Sequence, residues 1–372
     1  MEYTKIKEIN SYVSKSVNPA QMPDVVFEMY SVPTFETGHP EYLYGREIAS
    51  SKIVVKKNDI LLCKINPRIN RVWIVLDESD NPNIASSEWI VIRTDEYNPE
   101  FLAWYFRTPQ FQQRMMSEVT GIGGSLTRAQ PKRVAEYPVP VLDRQKQDRI
   151  ATVLNKIANI ISLRKQELKA YDELIKSRFI EMFGDPEQNP NGYPIKDFDE
   201  ISVLVTDGEH ATPHRTEKGI YLLSARNILN HALQLDDVDY IDEDEYARIA
   251  QRVVPQAGDV LISCSGSIGR CCVVPDGLQF QMVRSVALIR FDNTINPIFA
   301  EWLITSDELQ RQIALSATQS SQANLFQGKI RKLHGYVPPM EFQQEFVAFV
   351  EQTNKSKLLY RFWGNFLSQK VK

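Results

Sequence analysis

Along residues 150–182, positions on one helical face recur at alternating steps of four and three: Ile150, Leu154, Ile157, Ile161, Arg164, Leu168, Tyr171, Ile175, Arg178 and Met182. All but the two arginines are apolar, and this heptad seam predicts a single long helix. At about 1.5 Å per residue, a helix over 143–183 would span about 60 Å. That is too long for the core of one domain, so it predicts a spacer. Gly184-Asp185-Pro186 predicts its end, and Asn189-Pro190-Asn191-Gly192 predicts a linker. A shorter helix with a weaker seam is predicted from about Phe342 to Gln369. Phe346, Val350, Tyr360 and Leu367 would face the first helix, with Thr353, Lys357 and Gly364 between them. Antiparallel pairing of the two helices is the expected packing.

Outside these helices the pattern shifts to short β-branched and aromatic runs broken by Asn, Asp and Pro. Ile53-Val54-Val55, Ile60-Leu61-Leu62 and Val72-Trp73-Ile74-Val75-Leu76 predict strands, as do Val260-Leu261-Ile262 and Cys272-Val273-Val274. Short helices are predicted at Pro99 to Phe106 and Pro297 to Ile304, each with Pro at the favoured first position. A basic, polar loop is expected after each of them.

The chain also repeats itself. Asn58-Asp59-Ile60-Leu61-Leu62 resembles Gly258-Asp259-Val260-Leu261-Ile262, 200 residues on. Asn98-Pro99 with Phe101 and Trp104 matches Asn296-Pro297 with Phe299 and Trp302, 198 residues on. At that same offset Gln112 matches Gln310, Val139-Pro140 matches Val337-Pro338, and Gln145 matches Gln343. Ile6, Glu8 and Ile9 match Phe198, Glu200 and Ile201. Two copies of one unit of roughly 190–200 residues are therefore expected.

At 372 residues with 43% hydrophobic and 24% charged positions, the chain fits neither a disordered protein nor a small disulfide-stapled one. No apolar run reaches the length of a membrane span, and the N-terminus has no apolar signal core, so a cytoplasmic protein is expected. The four cysteines form no Cys-x-x-Cys pair and predict buried, reduced side chains. No metal site is predicted. No phosphate loop, dinucleotide fingerprint, nucleophile elbow or amino-methyltransferase motif is present. The acidic run Asp236–Glu245 reads as a solvated loop or, alternatively, as a divalent-cation site.

The net charge is −4, and neither folded segment outside the long helices, 1–142 or 184–340, is basic overall. Binding to DNA would therefore depend on local patches. In the first copy, Lys64, Asn66, Arg68, Asn70 and Arg71 lie on one turn, with amide and guanidinium groups suited to base edges. Gly121–Arg128 follows, with glycines, Thr127 and Arg128 suited to a phosphate, and then Lys132 and Arg133. In the second copy, Ser263–Arg270 occupies the place of the first patch and carries Ser265, Ser267 and Arg270. Ser320–Leu325 with Lys329 occupies the place of the second. His210, Thr212, His214, Arg215 and Arg226 form a third cluster. A shared frame with different side chains is the pattern expected of two readers of two different half-sites.

These residues resemble the specificity subunit of type I restriction–modification systems, over nearly the whole length. The carriers are Leu61–Arg68, Asp207-Gly208-Glu209-His210-Ala211-Thr212-Pro213, Gly258–Arg270, Val139–Leu142 with Gln145, Val337–Met340 with Gln343 and Gln344, and the helix end Phe179–Asp185. The resemblance implies an α/β (α+β) chain with two tandem, pseudo-symmetric target-recognition domains on irregular sheets, separated by two long antiparallel helices. The expected boundaries are 1–142 and 186–340 for the domains, and 143–185 and 341–372 for the helices. It implies that each domain reads half of a split double-stranded DNA target. It also implies that the helices set the gap and dock two adenine-N6 methyltransferase subunits, with two ATP-dependent endonuclease subunits joining for restriction. S-adenosylmethionine, ATP and magnesium would belong to those partners, and this chain would hold no cofactor and catalyse nothing. The competing readings are a metal-dependent nuclease or modification enzyme using the acidic run, and a coiled-coil adaptor.

Overall fold

The computed structural model describes residues 2–117, 119–120, 127–317 and 324–370, with side chains described except at 119–120 and 358–370. Gly121–Leu126 and Ser320–Ala323 of the predicted patches, and the side chains of Tyr360 and Leu367, lie outside the described residues. The chain forms two compact units, Met1–Ser162 and Leu163–Lys372.

In the first unit the strand Ile60–Cys63 lies between Val72–Ile74 and Trp89–Ile92, antiparallel to both, with Leu61 opposite Trp73 and Val91. All four of its residues are buried. Successive side chains of a strand point to opposite faces, so this strand feeds two cores. Ile60 and Leu62 pack with Phe101, Leu102 and Phe106, whereas Leu61 and Cys63 pack with Tyr30, Trp73 and Trp89. A strand covered on both faces must be apolar throughout, which explains the unbroken run in the sequence. The second sheet runs Ser16–Val17, Lys52–Val54, Asn83–Ala85, Val26–Tyr30, Glu41–Tyr44, with Val26–Tyr30 parallel to Asn83–Ala85. Tyr3–Lys5 pairs with Pro138–Pro140.

The second unit repeats this plan. Val260–Ser263 lies between Cys271–Val273 and Val286–Phe291, and Leu261 sits opposite Cys272 and Leu288. Val260 and Ile262 face Phe299 and Leu303, and Leu261 faces Phe280 and Met282. Ile220–Leu223 runs parallel to Phe280–Met282, and Ile195–Asp197 pairs with His334–Tyr336.

Three hydrogen-bonded devices recur at matching places. Asn98 and Asn296 cap the helices Pro99–Phe106 and Pro297–Ile304, with their side chains accepting from Phe101 N and Ile298 N. Arg93 grips the buried Asp59 through Nε (2.7 Å) and Nη2 (2.6 Å), and Arg290 grips the buried Asp259 in the same way at 2.7 and 2.8 Å. Gln147 Oε1 accepts from Asn98 N at 2.8 Å while its Nε2 donates to Leu142 O; Gln343 does the same with Asn296 N (2.7 Å) and Pro338 O. The partner of Gln343 in the repeat is thus Gln147, not the exposed Gln145. Matching by chain offset missed this because a helix start is set by which side chain reaches the cap. The expected loops after the short helices are also corrected, because helices Pro109–Ser117 and Asp307–Ala317 fill most of that space. Phe111, Met115, Leu309 and Ile313 anchor them in the cores.

The first long helix runs Arg144–Phe183 and ends at Gly184, whose φ of 78° is the left-handed conformation that glycine tolerates. The heptad seam coincides only in part with its buried stripe: Leu154, Ile157, Leu168 and Tyr171 are half-buried. Ile150, Ile161 and Arg164 are exposed, and Arg178 and Met182 are half-buried. Full burial falls on one seam residue, Ile175, and off the seam on Ala151 in the first unit and on Phe179 and Phe183 in the second. Ile175, Phe179 and Phe183 step by four, because they face a globular core and not a continuous helical partner. The second long helix is Met340–Lys370. Arg178–Glu345 and Asp172–Lys357 ion pairs, at 3.0 and 2.5 Å, set it antiparallel to the C-terminal part of the first. Phe346 and Val350 are buried as the pattern predicts. No described helix is long and apolar enough to cross a membrane.

The acidic run is a loop only over residues 236–238. Asp239–Ile241 is a strand, and Asp242 caps the helix Glu243–Ala250 by accepting from Glu245 N. Carboxylates at a helix start face the positive end of its dipole, which accounts for Glu243, Asp244 and Glu245 there.

Candidate nucleic-acid interface

In both units three backbone segments meet where the central strand ends. The first is the loop leaving that strand, the second is the turn before the last strand of its sheet, and the third follows the second short helix. In the first unit, Lys64 N donates to Glu88 O (3.0 Å), Asn66 N to Thr127 O (2.8 Å) and Ala129 N to Lys64 O (2.8 Å). In the second, Cys264 N donates to Ser285 O (2.8 Å) and Leu325 N to Cys264 O (2.9 Å). The loops must turn sharply, and residues with positive φ supply the turn: Asn66 at 45° in one, Gly266 and Gly269 at 67° and 86° in the other. The predicted patches at 64–71 and 127–128 are thereby joined.

The side chains of the first unit are partly committed. Lys64 Nζ donates to Ser87 O at 2.6 Å, Asn70 Nδ2 to Arg107 O at 3.1 Å, and Arg128 Nη2 to Glu88 Oε1 at 3.1 Å. Arg71 is half-buried, and its charge acts on the Cys63 thiol, which burial pushes up. Asn66 Oδ1 is buried without a partner among the described atoms. Arg68 is exposed. Thr127 is half-buried and serves the frame through its carbonyl oxygen. Lys132 stands away from this junction, exposed on the helix Pro131–Val134 beside Arg114 and Arg133.

In the second unit the frame surrounds a hollow of about 630 Å³ lined by Asp207, His210, Ser265, Arg284, Asn324 and Phe326, among others. It brings His210, Ser265 and the 324–326 segment together, which the sequence placed in three separate patches. Asp207 accepts from His210 Nε2 at 2.8 Å and also from Gln327 and Arg252. Burial raises its pKa, but those bonds and the Arg252 charge outweigh burial and hold it below the usual carboxylate value. The Cys264 thiol is pushed up to about 12 by burial, which makes it a packing group and not a nucleophile.

Other predicted residues lie outside this hollow. Arg215 Nε and Arg226 Nη2 both donate to Asp239, at 2.9 Å each, so the acidic strand takes up two cations of the third cluster. Thr212 is exposed. Ser267 lends its carbonyl oxygen, and Arg270 its amide, to Ser263 Oγ. Lys329 is half-buried in the helix Gln327–Ile330. Three lining residues were missed from the sequence, Arg284, Ser285 and Phe326, the last 62% exposed. No group of three or more His, Cys, Asp or Glu among the described residues could hold a metal ion. The surface offers amide, hydroxyl, guanidinium and aromatic groups on a hydrogen-bonded frame, which suits recognition through base edges and phosphates.

No protein-family model and no curated protein sequence matches the chain. Solved structures do match it. The S subunit of a type I restriction–modification system from M. genitalium is 12% identical, with a TM-score of 0.60 over 99% of this chain and 92% of that one. A chain from a structure describing assembly and conformational transition of the type I R-M system is 17% identical, with a TM-score of 0.54 over 99% of this chain and 94% of that one. The likeness extends over both units, and the chain has the fold of a type I restriction–modification S subunit.

Proposed function

We propose that this chain is the non-catalytic specificity subunit of a type I restriction–modification complex. Residues 1–142 and 186–340 each read one half of a split DNA target. The helices at 143–185 and 341–372 set the gap and dock two adenine-N6 methyltransferase subunits, with two ATP-dependent endonuclease subunits completing the restricting assembly. The duplicated three-segment frame carries this reading. Two backbone hydrogen bonds of the frame recur in both units, Lys64 N to Glu88 O as Cys264 N to Ser285 O and Ala129 N to Lys64 O as Leu325 N to Cys264 O, yet the side chains they present differ: Lys64, Asn66, Arg68, Asn70 and Arg71 against Ser265, Ser267 and Arg270. A constant frame with changed donors and acceptors is what two different base sequences require. Thr127, Arg128, Lys132 and Lys329 anchor phosphates, and His210, Thr212 and Arg215 complete the second contact surface.

The test is an exchange of residues 1–142 for the matching domain of another such chain. Methyladenine mapping should then show one half of the target changed and the other kept. A change in both halves, or in neither, refutes the modular assignment.

A further inference from the structure

Arg284 sits on the turn between the strands Phe280–Met282 and Val286–Phe291, at the wall of the hollow in the second unit. Its side chain is exposed. Its backbone is fixed, because its own N donates to Glu209 O at 3.0 Å and the flanking Val283 N donates to Leu223 O at 2.9 Å. The nearby carboxylates are committed elsewhere. Asp207 is taken by Arg252, His210 and Gln327, and Glu209 by Ala211 N and the Arg248 guanidinium. No hydrogen bond or ion pair engages the Arg284 guanidinium among the described residues. A rigid turn thus presents an uncommitted planar fork.

The first unit explains the placement. The bonds Lys64 N to Glu88 O and Cys264 N to Ser285 O make Ser285 the counterpart of Glu88, and hence Arg284 the counterpart of Ser87. In the first unit two cations meet this junction, Arg128, paired with Glu88, and Lys64, whose Nζ is tied to Ser87 O. In the second unit the Lys64 position is the buried Cys264, and a cation comes from the opposite segment as Arg284. The Lys64 charge is retained, but the group changes from a tethered ammonium to a free guanidinium. A guanidinium presents its two donors in a fixed planar fork that matches O6 and N7 of guanine, whereas an ammonium reaches them without that fixed geometry.

We propose that Arg284 reads a guanine in the half-site bound by the second unit. The assignment rests on the specificity-subunit reading above. The test uses the assembled methyltransferase complex with wild-type chain, Arg284→Ala and Arg284→Lys, assayed against DNA carrying each base substitution in both half-sites. Discrimination at one G·C position of the second half-site should fall roughly 5- to 150-fold in both variants. Arg284→Lys should keep overall affinity better, and the first half-site should be unaffected. A uniform loss over all sequences with a shallower salt dependence would make Arg284 a phosphate contact and overturn the assignment. Unaltered discrimination would also overturn it. A wild-type complex with no split-sequence preference would overturn the specificity reading itself, and the assignment with it.

Discussion

Replacing Asp259 with alanine should destabilise the core of the second unit by about 3 kcal/mol. The carboxylate is 1% exposed and accepts three hydrogen bonds: two from Arg290, at 2.7 and 2.8 Å, and one from Gln256 N at 2.7 Å. Removing one member of a buried pair costs about 3–5 kcal/mol when the other charge is stranded. The Arg290 side chain is 27% exposed, so water can reclaim part of it, which places the cost at the low end of that range. Native-state hydrogen exchange in Val260–Ser263 and Val286–Phe291 reads this locally, with no need for a single unfolding transition in a two-unit chain. The double variant Asp259→Ala/Arg290→Ala should cost about 2 kcal/mol less than the sum of the singles, because no charge is left stranded. A single-variant cost below about 1 kcal/mol, or additive singles, would refute the argument that this pair locks the strands.

Two further predictions concern the frame. Gln343→Ala should lower stability by about 1–3 kcal/mol in thermal unfolding, since it removes a fully buried side chain that serves the half-buried Asn296 amide and the carbonyls of Pro338 and Thr294, and strands the buried Pro338 carbonyl. Asp207 has its folded-state pKa lowered, so its contribution is present above the unfolded value near 3.8 and is lost as pH falls through the lowered folded value. Asp207→Asn should flatten that acid limb in denaturant titrations between neutral and strongly acidic pH; an unchanged limb would show that the His210, Arg252 and Gln327 contacts contribute nothing to stability.

Much of the fold is legible in the sequence where local chemistry decides it. The helices Pro99–Phe106 and Pro297–Ile304 form over the expected residues because Asn-Pro both caps and starts a helix. The strands Ile60–Cys63 and Val260–Ser263 follow from unbroken apolar runs. What the sequence hides is the choice among partners. The heptad seam marks a long helix, yet which stripe is buried depends on the cores that Ala151 and Phe179 meet. Arg215 and Arg226 look available until the strand Asp239–Ile241 places Asp239 between them. Arg284 escapes notice because it stands alone on a short turn with no motif. An alignment of Val283-Arg284-Ser285 with Ser86-Ser87-Glu88 would have exposed it, but only the backbone bonds fix that alignment.

The central claim is that this chain directs methylation to one split DNA sequence. A genome-wide map of methyladenine in the native host, with the gene intact and deleted, tests it most directly. The account predicts that deletion removes one motif made of two short half-sites around a fixed gap and leaves every other methylated motif in place. An unchanged map, in a host whose partner methyltransferase is shown to be active, would contradict it.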